Sequence, residues 1–590
     1  MRPVNAVSSA ARRLLDRMGD DQIRLSVLAL AVGAAAGYGS IAFRLLIDVV
    51  TLTIYGVREE QMPIAAAGMA PLLLIAITTT GGLALGIASR FLFVDGRPQG
   101  VADVIEASAL RNGRMTWRSI WAAATYSVCT IGIGGSVGRE GPIVHLGAGL
   151  ASQVGHWLHL SPSLGRTLLG CGVAAAVAAA FNAPIAGVFF ALEVVVGHYG
   201  LGAFSPVVIS SLIGTIVTRL HIGDNPAFDL GTQQVQSFWE VPAFILLGVF
   251  SAITAIVLMR GMGFVQSVHQ RLGTPFWLQP ACGGLLLGLI ALYYPEVLGI
   301  GYVMTNHALF NETPLNLLIA FAIAKIVATS LCHGSRMGGG IFSPSLAIGA
   351  LSGGAFGTVA TALVPSLGSQ PSVYAVIGMG AVAASTLGAP ISTIIMIFEL
   401  TTDYGVTFAL MASVSVAALI TRRFYGDSYF HWQLAQRDIS VDGQHELGLL
   451  RARRVVAVMR DDHELVARTA SLDILKARFR ASHAPIFVVD DEHKLMGSIS
   501  FEDLADAAFM DDPDRTITAE RLVRRSDVVL TPDDDLATAL RRCQSRHEQN
   551  IPVVRSRDDP EVVGEVRLTD LIRAYNQALL LARAQEHGRG

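Results

Sequence analysis

The sequence predicts a polytopic all-α membrane domain built from two related halves with broken helices, followed by a small soluble α/β domain. Three observations carry this. The chain has 590 residues, 52% of them hydrophobic and only 15% charged, with 59 glycines, too long and too apolar for one ordinary soluble domain. Long apolar stretches recur up to residue 437 and then stop. Each of the two parts contains its own internal repeat.

A helix needs about 20 apolar residues to cross a bilayer. Residues 25–50, 70–94, 240–260, 277–294, 315–332 and 405–421 qualify as continuous spans. Between them, Gly and Pro cut the apolar stretches 101–110, 118–135, 142–158, 166–180, 184–198, 203–219, 344–363, 373–387 and 390–401 into shorter pieces. Irregular backbone at membrane depth is tolerated only where protein buries it or where it lines a water-filled cavity, so these pieces predict a transport path. Arg12, Arg13 and Arg17 precede the first span with no small-residue cleavage site between, so residues 1–24 are expected to be cytoplasmic. After residue 437 charged residues recur every few positions. This sets a membrane domain at 25–437, a linker at 438–452, two small modules at 453–512 and 519–578, and a tail at 579–590.

The net charge of −3 provides no basic excess for a phosphate backbone, so no nucleic-acid partner is expected. Cys129, Cys171, Cys282, Cys332 and Cys543 are scattered without CxxC spacing, and neither a metal site nor a disulfide framework is implied. No phosphate-binding loop, nucleophile elbow or metal-ligand cluster appears, which argues against an enzyme.

The membrane repeat is explicit. Ala183-Pro184-Ile185 leads to Glu193 as Ala389-Pro390-Ile391 leads to Glu399, and Gly138-Arg-Glu-Gly-Pro142 leads to Gly147 as Gly340-Ile-Phe-Ser-Pro344 leads to Gly349. Pro142 and Pro344 are 202 residues apart, Pro184 and Pro390 206, as two related halves require. In the soluble part, Pro485, Gly497 and Asp503 recur as Pro552, Gly564 and Asp570, each 67 residues on. Short β-branched runs followed by amphipathic stretches make this a small α/β module used twice.

Gly138-Arg139-Glu140-Gly141-Pro142 opens an apolar helix, with glycines exposing backbone and Pro in the first turn. The unpaired N–H groups of such a terminus form an anion site, and Gly340-Ile341-Phe342-Ser343-Pro344 repeats the device. Two such termini meeting at the midplane would hold a small anion without a full positive charge to trap it. Glu140 would then sit at the mouth of the site as a gate and proton carrier. The alternative is a carboxylate that stabilises the helix N-terminus or pairs with Arg139, but ionisable groups at membrane depth are functional by default. Lys325 divides between a buried structural pair and a role in shaping the field. His145 and His333 read as helix-packing or interface residues.

GREGP at 138–142, GGGIFSP at 338–344, FNAPIAGVFFALE at 181–193 and GAPISTIIMIFELT at 388–401 together resemble the CLC family of chloride channels and proton-coupled antiporters, over nearly all of 25–437. The resemblance implies two inverted halves with re-entrant helices and a homodimer with one anion pathway per subunit. It makes Glu140 the external gate and assigns anion contacts to the amides of Ile341 and Phe342, beside the helix-terminus candidates Gly138, Arg139 and Gly141. Three departures stand out. The family's anion-coordinating Ser motif falls at Pro98-Gln99-Gly100-Val101-Ala102, so Gln99 replaces Ser and Gly100 follows. The family's central Tyr aligns with Phe430, or with Tyr429 after a one-residue shift. Many of its antiporters carry a second glutamate directly after the position of Glu193, where this chain has Val194. That absence tilts the expectation toward channel-like conduction of chloride or a similar monovalent anion, with proton-coupled exchange as the alternative.

The soluble repeat resembles a tandem CBS pair, which implies a regulatory module and an adenine nucleotide held by Ser500, Asp503 and Asp570; the alternative is a nucleotide-free scaffold. No cofactor is required for transport. The expected setting is a plasma or inner membrane, multi-pass, with membrane lipid around the spans and the CBS pair cytoplasmic. Two other readings compete. A membrane-anchored nucleotide sensor would need only uninterrupted anchors, and a divalent cation transporter would need acidic residues ringing a pore; the paired helix N-termini suit neither.

Overall fold

The computed structural model describes residues 21–437, 439 and 453–586, except 94–95, 198, 225–233, 311–312, 366–367, 483–484, 509–516, 525–528, 547–549 and 558. Most of the expected N-terminal segment and linker, and the last four residues of the tail, lie outside the described residues. The chain divides into two compact units, Met1–Val441 and Asp442–Gly590, close to the boundary that composition predicts.

Among the described residues of the first unit, eight helices are long and apolar enough to cross a membrane. Five predicted spans are found as Asp21–Tyr55, Pro71–Leu92, Val241–Arg271, Leu315–Gly334 and Tyr404–Phe424. The sixth is corrected: 277–294 holds only a 13-residue helix, Gln279–Ala291. It packs backbone to backbone on Pro71–Leu92, where a Cβ on Gly284 would come within 2.1 Å of the Thr78 carbonyl oxygen. Conversely, Pro162–Phe181, Leu201–Ile222 and Phe342–Leu363, predicted as short pieces, are continuous helices of 20, 22 and 22 residues. Pro162 and Pro344 fall in the first turn, where the missing N–H has no helical partner to lose.

The two halves match at their motifs. The Pro162–Phe181 and Pro371–Leu387 helices end on left-handed Asn182 (φ 58°) and Gly388 (φ 67°). Ala183 and Ala389 follow, and Pro184 and Pro390 open the next helices, Pro184–Phe190 and Pro390–Thr401. The first of these continues as a π-helical turn, Ala191–Val196. Helix crossings repeat too. A Cβ on Gly147 would lie 2.4 Å from the Gly172 carbonyl oxygen, and one on Gly349 would lie 2.5 Å from that of Gly378. Close backbone approach through small residues is how helices associate within a bilayer, where the hydrophobic effect between them is absent.

Glu193 and Glu399 bind the halves together reciprocally. Glu193 accepts hydrogen bonds from the Ile391 and Ser392 amides (3.0 and 2.8 Å) and from the Ser392 hydroxyl. Glu399 accepts from the Ile185 and Ala186 amides (2.9 and 2.7 Å). Each carboxylate caps the helix that opens the other half's Pro-to-Glu segment, satisfying N–H groups that a helix start leaves without partners.

In the second unit, β1 (Glu464–Ala467) runs parallel to β2 (Ile486–Val489), which pairs antiparallel with β3 (Leu495–Ile499). Its repeat supplies the antiparallel pair β4 (Asn550–Val554) and β5 (Val562–Arg567). The last helix, Leu568–Glu586, runs past the predicted limit of 578 because no Gly or Pro interrupts it.

Candidate functional site

The Glu140–Leu158 and Phe342–Leu363 helices begin at one place. The Gly138 amide donates to the Gly340 carbonyl and the Gly340 amide to the Gly138 carbonyl, both at 2.6 Å. This bridge brings the equivalent helices together N-terminus to N-terminus, so they run in opposite directions and the halves are inverted. Only glycine fits here, since a Cβ on Gly340 would sit 2.6 Å from the Gly141 nitrogen.

Glu140 occupies this junction at 1% exposure. Ser343, in the first turn of the opposing helix, donates its hydroxyl to Glu140 Oε1 at 2.6 Å. The carboxylate therefore lies where the positive ends of two helices meet, the position an anion would take. Its Oε2 is buried without a hydrogen-bond partner, against Gly138.

A cavity of 480 Å³ ends on this junction at Gly141, Gly340 and Ile341. Gln99, Gly100, Tyr429 and Phe430 line it, so the structure brings most of the sequence-predicted anion residues together. Three do not reach it. Gly138 lies behind the bridge. Arg139 points away, with its guanidinium 5.3 Å above the Tyr302 ring and its Nε 3.9 Å from Glu140. Phe342 packs its ring on Phe181 and Phe190, at 4.8 and 5.7 Å between centroids. Any contact these three make with an anion would be through backbone.

Charged residues missed by sequence reasoning line the rest of the cavity: Arg97, Arg111, Arg336 and Arg437 against Asp103 and Glu106. Arg437 bridges both carboxylates, at 2.9 Å to Asp103 and 3.3 Å to Glu106. Arg97 lies 3.3 Å from Asp103 and Arg111 2.5 Å from Glu106. Four cations against two anions favour anion entry, because a low-dielectric wall focuses their field. Only their spacing in the fold, not any motif, identifies them. Lys325 is fully buried and donates to the Val297 and Gly299 carbonyls at 3.0 and 2.8 Å.

The comparisons with known proteins agree with this geometry. The family model described as voltage gated chloride channel matches residues 80–422, more than half of the chain. The chain belongs to the CLC family. An H(+)/Cl(-) exchange transporter ClcA of Vibrio vulnificus is 30% identical to this CLC protein over 435 residues, which span 72% of this chain and 92% of that one. The structure of a slow cyanobacterial Cl-/H+ antiporter superposes with a TM-score of 0.62 at 22% identity, over 71% of this chain and 99% of that one. That of a eukaryotic CLC transporter superposes at 0.61 and 20%, over 93% and 98%. The CBS domain model matches 519–577, the second module of the C-terminal pair. CLC proteins are transporters and channels for anions, and this multi-pass membrane chain is one of them.

In the CBS pair the predicted nucleotide residues have protein partners. Asp503 accepts from the Ser500 amide and hydroxyl at 2.8 and 2.7 Å and pairs with Arg524 at 2.5 Å. Asp570 takes both arms of Arg460, at 2.6 and 3.0 Å. Each pair joins a carboxylate of one module to an arginine at the start of the other. The Arg460 hydrogen bonds hold the Asp570 carboxyl below the usual carboxylate range. A carboxyl depressed by folding contributes stability above its unfolded value of about 4, and that contribution is lost as pH falls through the folded value. Acidification below about pH 4 is therefore expected to speed amide exchange in β5 of the full chain. In Asp570→Asn that acid-dependent component should be absent, and an unchanged exchange profile would remove the pair from any role in stability.

Proposed function

We propose that this protein moves chloride or a similar monovalent anion across a membrane in exchange for protons, with Glu140 as both gate and proton carrier. One observation carries the reading: a buried carboxylate stands at the meeting point of two opposed helix N-termini, at the closed end of a cavity lined by more cations than anions. Ionised, Glu140 competes with the anion for the same positive helix ends. Protonated, it loses that attraction and yields the site, so each opening is linked to a proton. Gln99, Gly100, Gly141 and Ile341 would face the anion from the cavity side, with the Tyr429 and Phe430 rings beside them. The resemblance to a dimeric family supports a homodimer in a lipid bilayer with both termini cytoplasmic.

A second reading, channel-like conduction, is favoured by Val194, which is buried in the π-helical turn where a carboxylate would supply an inner proton relay. Chloride efflux from liposomes holding the full-length protein, with internal pH recorded, separates the two. Uphill proton movement supports exchange, efflux without it supports conduction, and no anion flux at any pH sinks both.

The CBS pair is proposed to regulate this transport. An adenine nucleotide at Ser500, Asp503 and Asp570 would first displace Arg524 and Arg460. ATP or AMP at about 100 times its Kd is expected to raise the unfolding free energy of the full chain by about 2.7 kcal/mol. No rise in Tm at millimolar nucleotide leaves the nucleotide-free scaffold.

A further inference from the structure

Sequence reasoning treated His333 as a packing residue, yet the structure places it on the cavity wall. Its Nε2 is shielded from solvent and has no hydrogen-bond partner. The ring stands edge-on to Tyr429, 5.9 Å between centroids, and is hydrogen-bonded to the backbone of Gly340. Gly340 is one half of the bridge to Gly138, and Glu140 Oε2 lies against Gly138. His333 and Glu140 thus flank the same pair of glycines, one facing the cavity and the other closing its end.

The other ionisable groups around the cavity are committed. Asp103 and Glu106 are held by Arg97, Arg111 and Arg437. The arginines, Arg336 among them, stay protonated at any physiological pH, and the Tyr429 phenol holds its proton near neutrality. Among the described residues that line the cavity, His333 is the only one whose side chain ordinarily titrates near neutral pH.

We infer that His333 is the proton carrier on the cavity side of Glu140, in place of the carboxylate missing at Val194. This rests on the exchange reading above. Once the ring turns Nε2 toward the cavity, it takes a proton from hydronium there. The resulting imidazolium gives that proton, through the anion site, to the Glu140 carboxylate. The ring returns to neutral, and protonated Glu140 yields the site to the anion. One N–H bond forms and breaks on His333 per cycle, and the O–H bond that forms on Glu140 breaks when the carboxyl releases its proton on the far side, so no other reactant is needed. A neutral imidazole is also cheaper to keep in an apolar wall than an unpaired carboxylate.

The test compares wild type with His333→Asn, and with His333→Gln should the Asn variant not fold, in liposomes with chloride efflux and internal pH read together. Protons moved per chloride are expected to fall at least about tenfold, the scale of losing a positioned acid–base group. Wild-type coupling in the folded variant, or parallel loss of both fluxes, overturns the assignment while leaving exchange intact. A wild type that moves no protons overturns exchange and this inference together.

Discussion

Glu140→Gln is expected to abolish proton movement while chloride continues to flow, at a rate that no longer depends on pH. The amide keeps the shape of the side chain but has no charge with which to occupy the positive junction of the two helices, so it mimics the protonated gate. Ser343→Ala tests the same geometry more gently. It removes the 2.6 Å hydrogen bond that holds Glu140 Oε1 in place. A hydrogen bond to a charged group contributes about 1.5–3 kcal/mol, so the closed state should weaken by about tenfold or more and transport should begin at higher pH. Efflux of 36Cl with simultaneous pH recording reads both variants. A Glu140→Gln protein that still pumps protons would remove Glu140 from the proton path.

The second large effect is expected at the reciprocal caps. Glu193→Ala removes the acceptor for two amides and a hydroxyl of the Pro390–Thr401 helix, and Glu399→Ala removes the acceptor for two amides of the Pro184–Phe190 helix. Each loss amounts to at least about 3 kcal/mol, since charge-assisted bonds are strong and lipid offers the freed amides no replacement. The crosswise pattern makes the prediction specific. In detergent, hydrogen exchange in Glu193→Ala should rise first at Ile391 and Ser392, in the other half of the chain. Glutamine at either position should be milder, because its amide oxygen still accepts one bond. Exchange that rises only around the mutated residue would show that the caps do not couple the halves.

The sequence by itself determined the fold class, the boundary near 437, both repeats and the identity of the central carboxylate. These follow from local chemistry: apolar length, Gly and Pro placement, and motifs whose 202- and 206-residue separations recur in the glycine crossings at Gly147–Gly172 and Gly349–Gly378. Span continuity was less legible, because a proline reads as a break wherever it falls, whereas in a helix's first turn it costs no hydrogen bond.

Only the tertiary structure decided what surrounds Glu140. The partnership of Ser343 with Glu140 spans 203 residues, and that of Arg437 with Asp103 spans 334; neither leaves a periodic signal in the chain. Arg139 sits in a motif that suggests anion contact, yet packing turns its side chain toward Tyr302, and the Phe342 ring packs on Phe181 and Phe190 while its amide is the group expected to meet the anion. His333 is the opposite case. Its neighbours in sequence suggest a packing residue, and only the tertiary arrangement puts it on the cavity wall. Motifs record what a backbone segment does locally, but which side chain faces a cavity is set by the packing of helices distant in sequence.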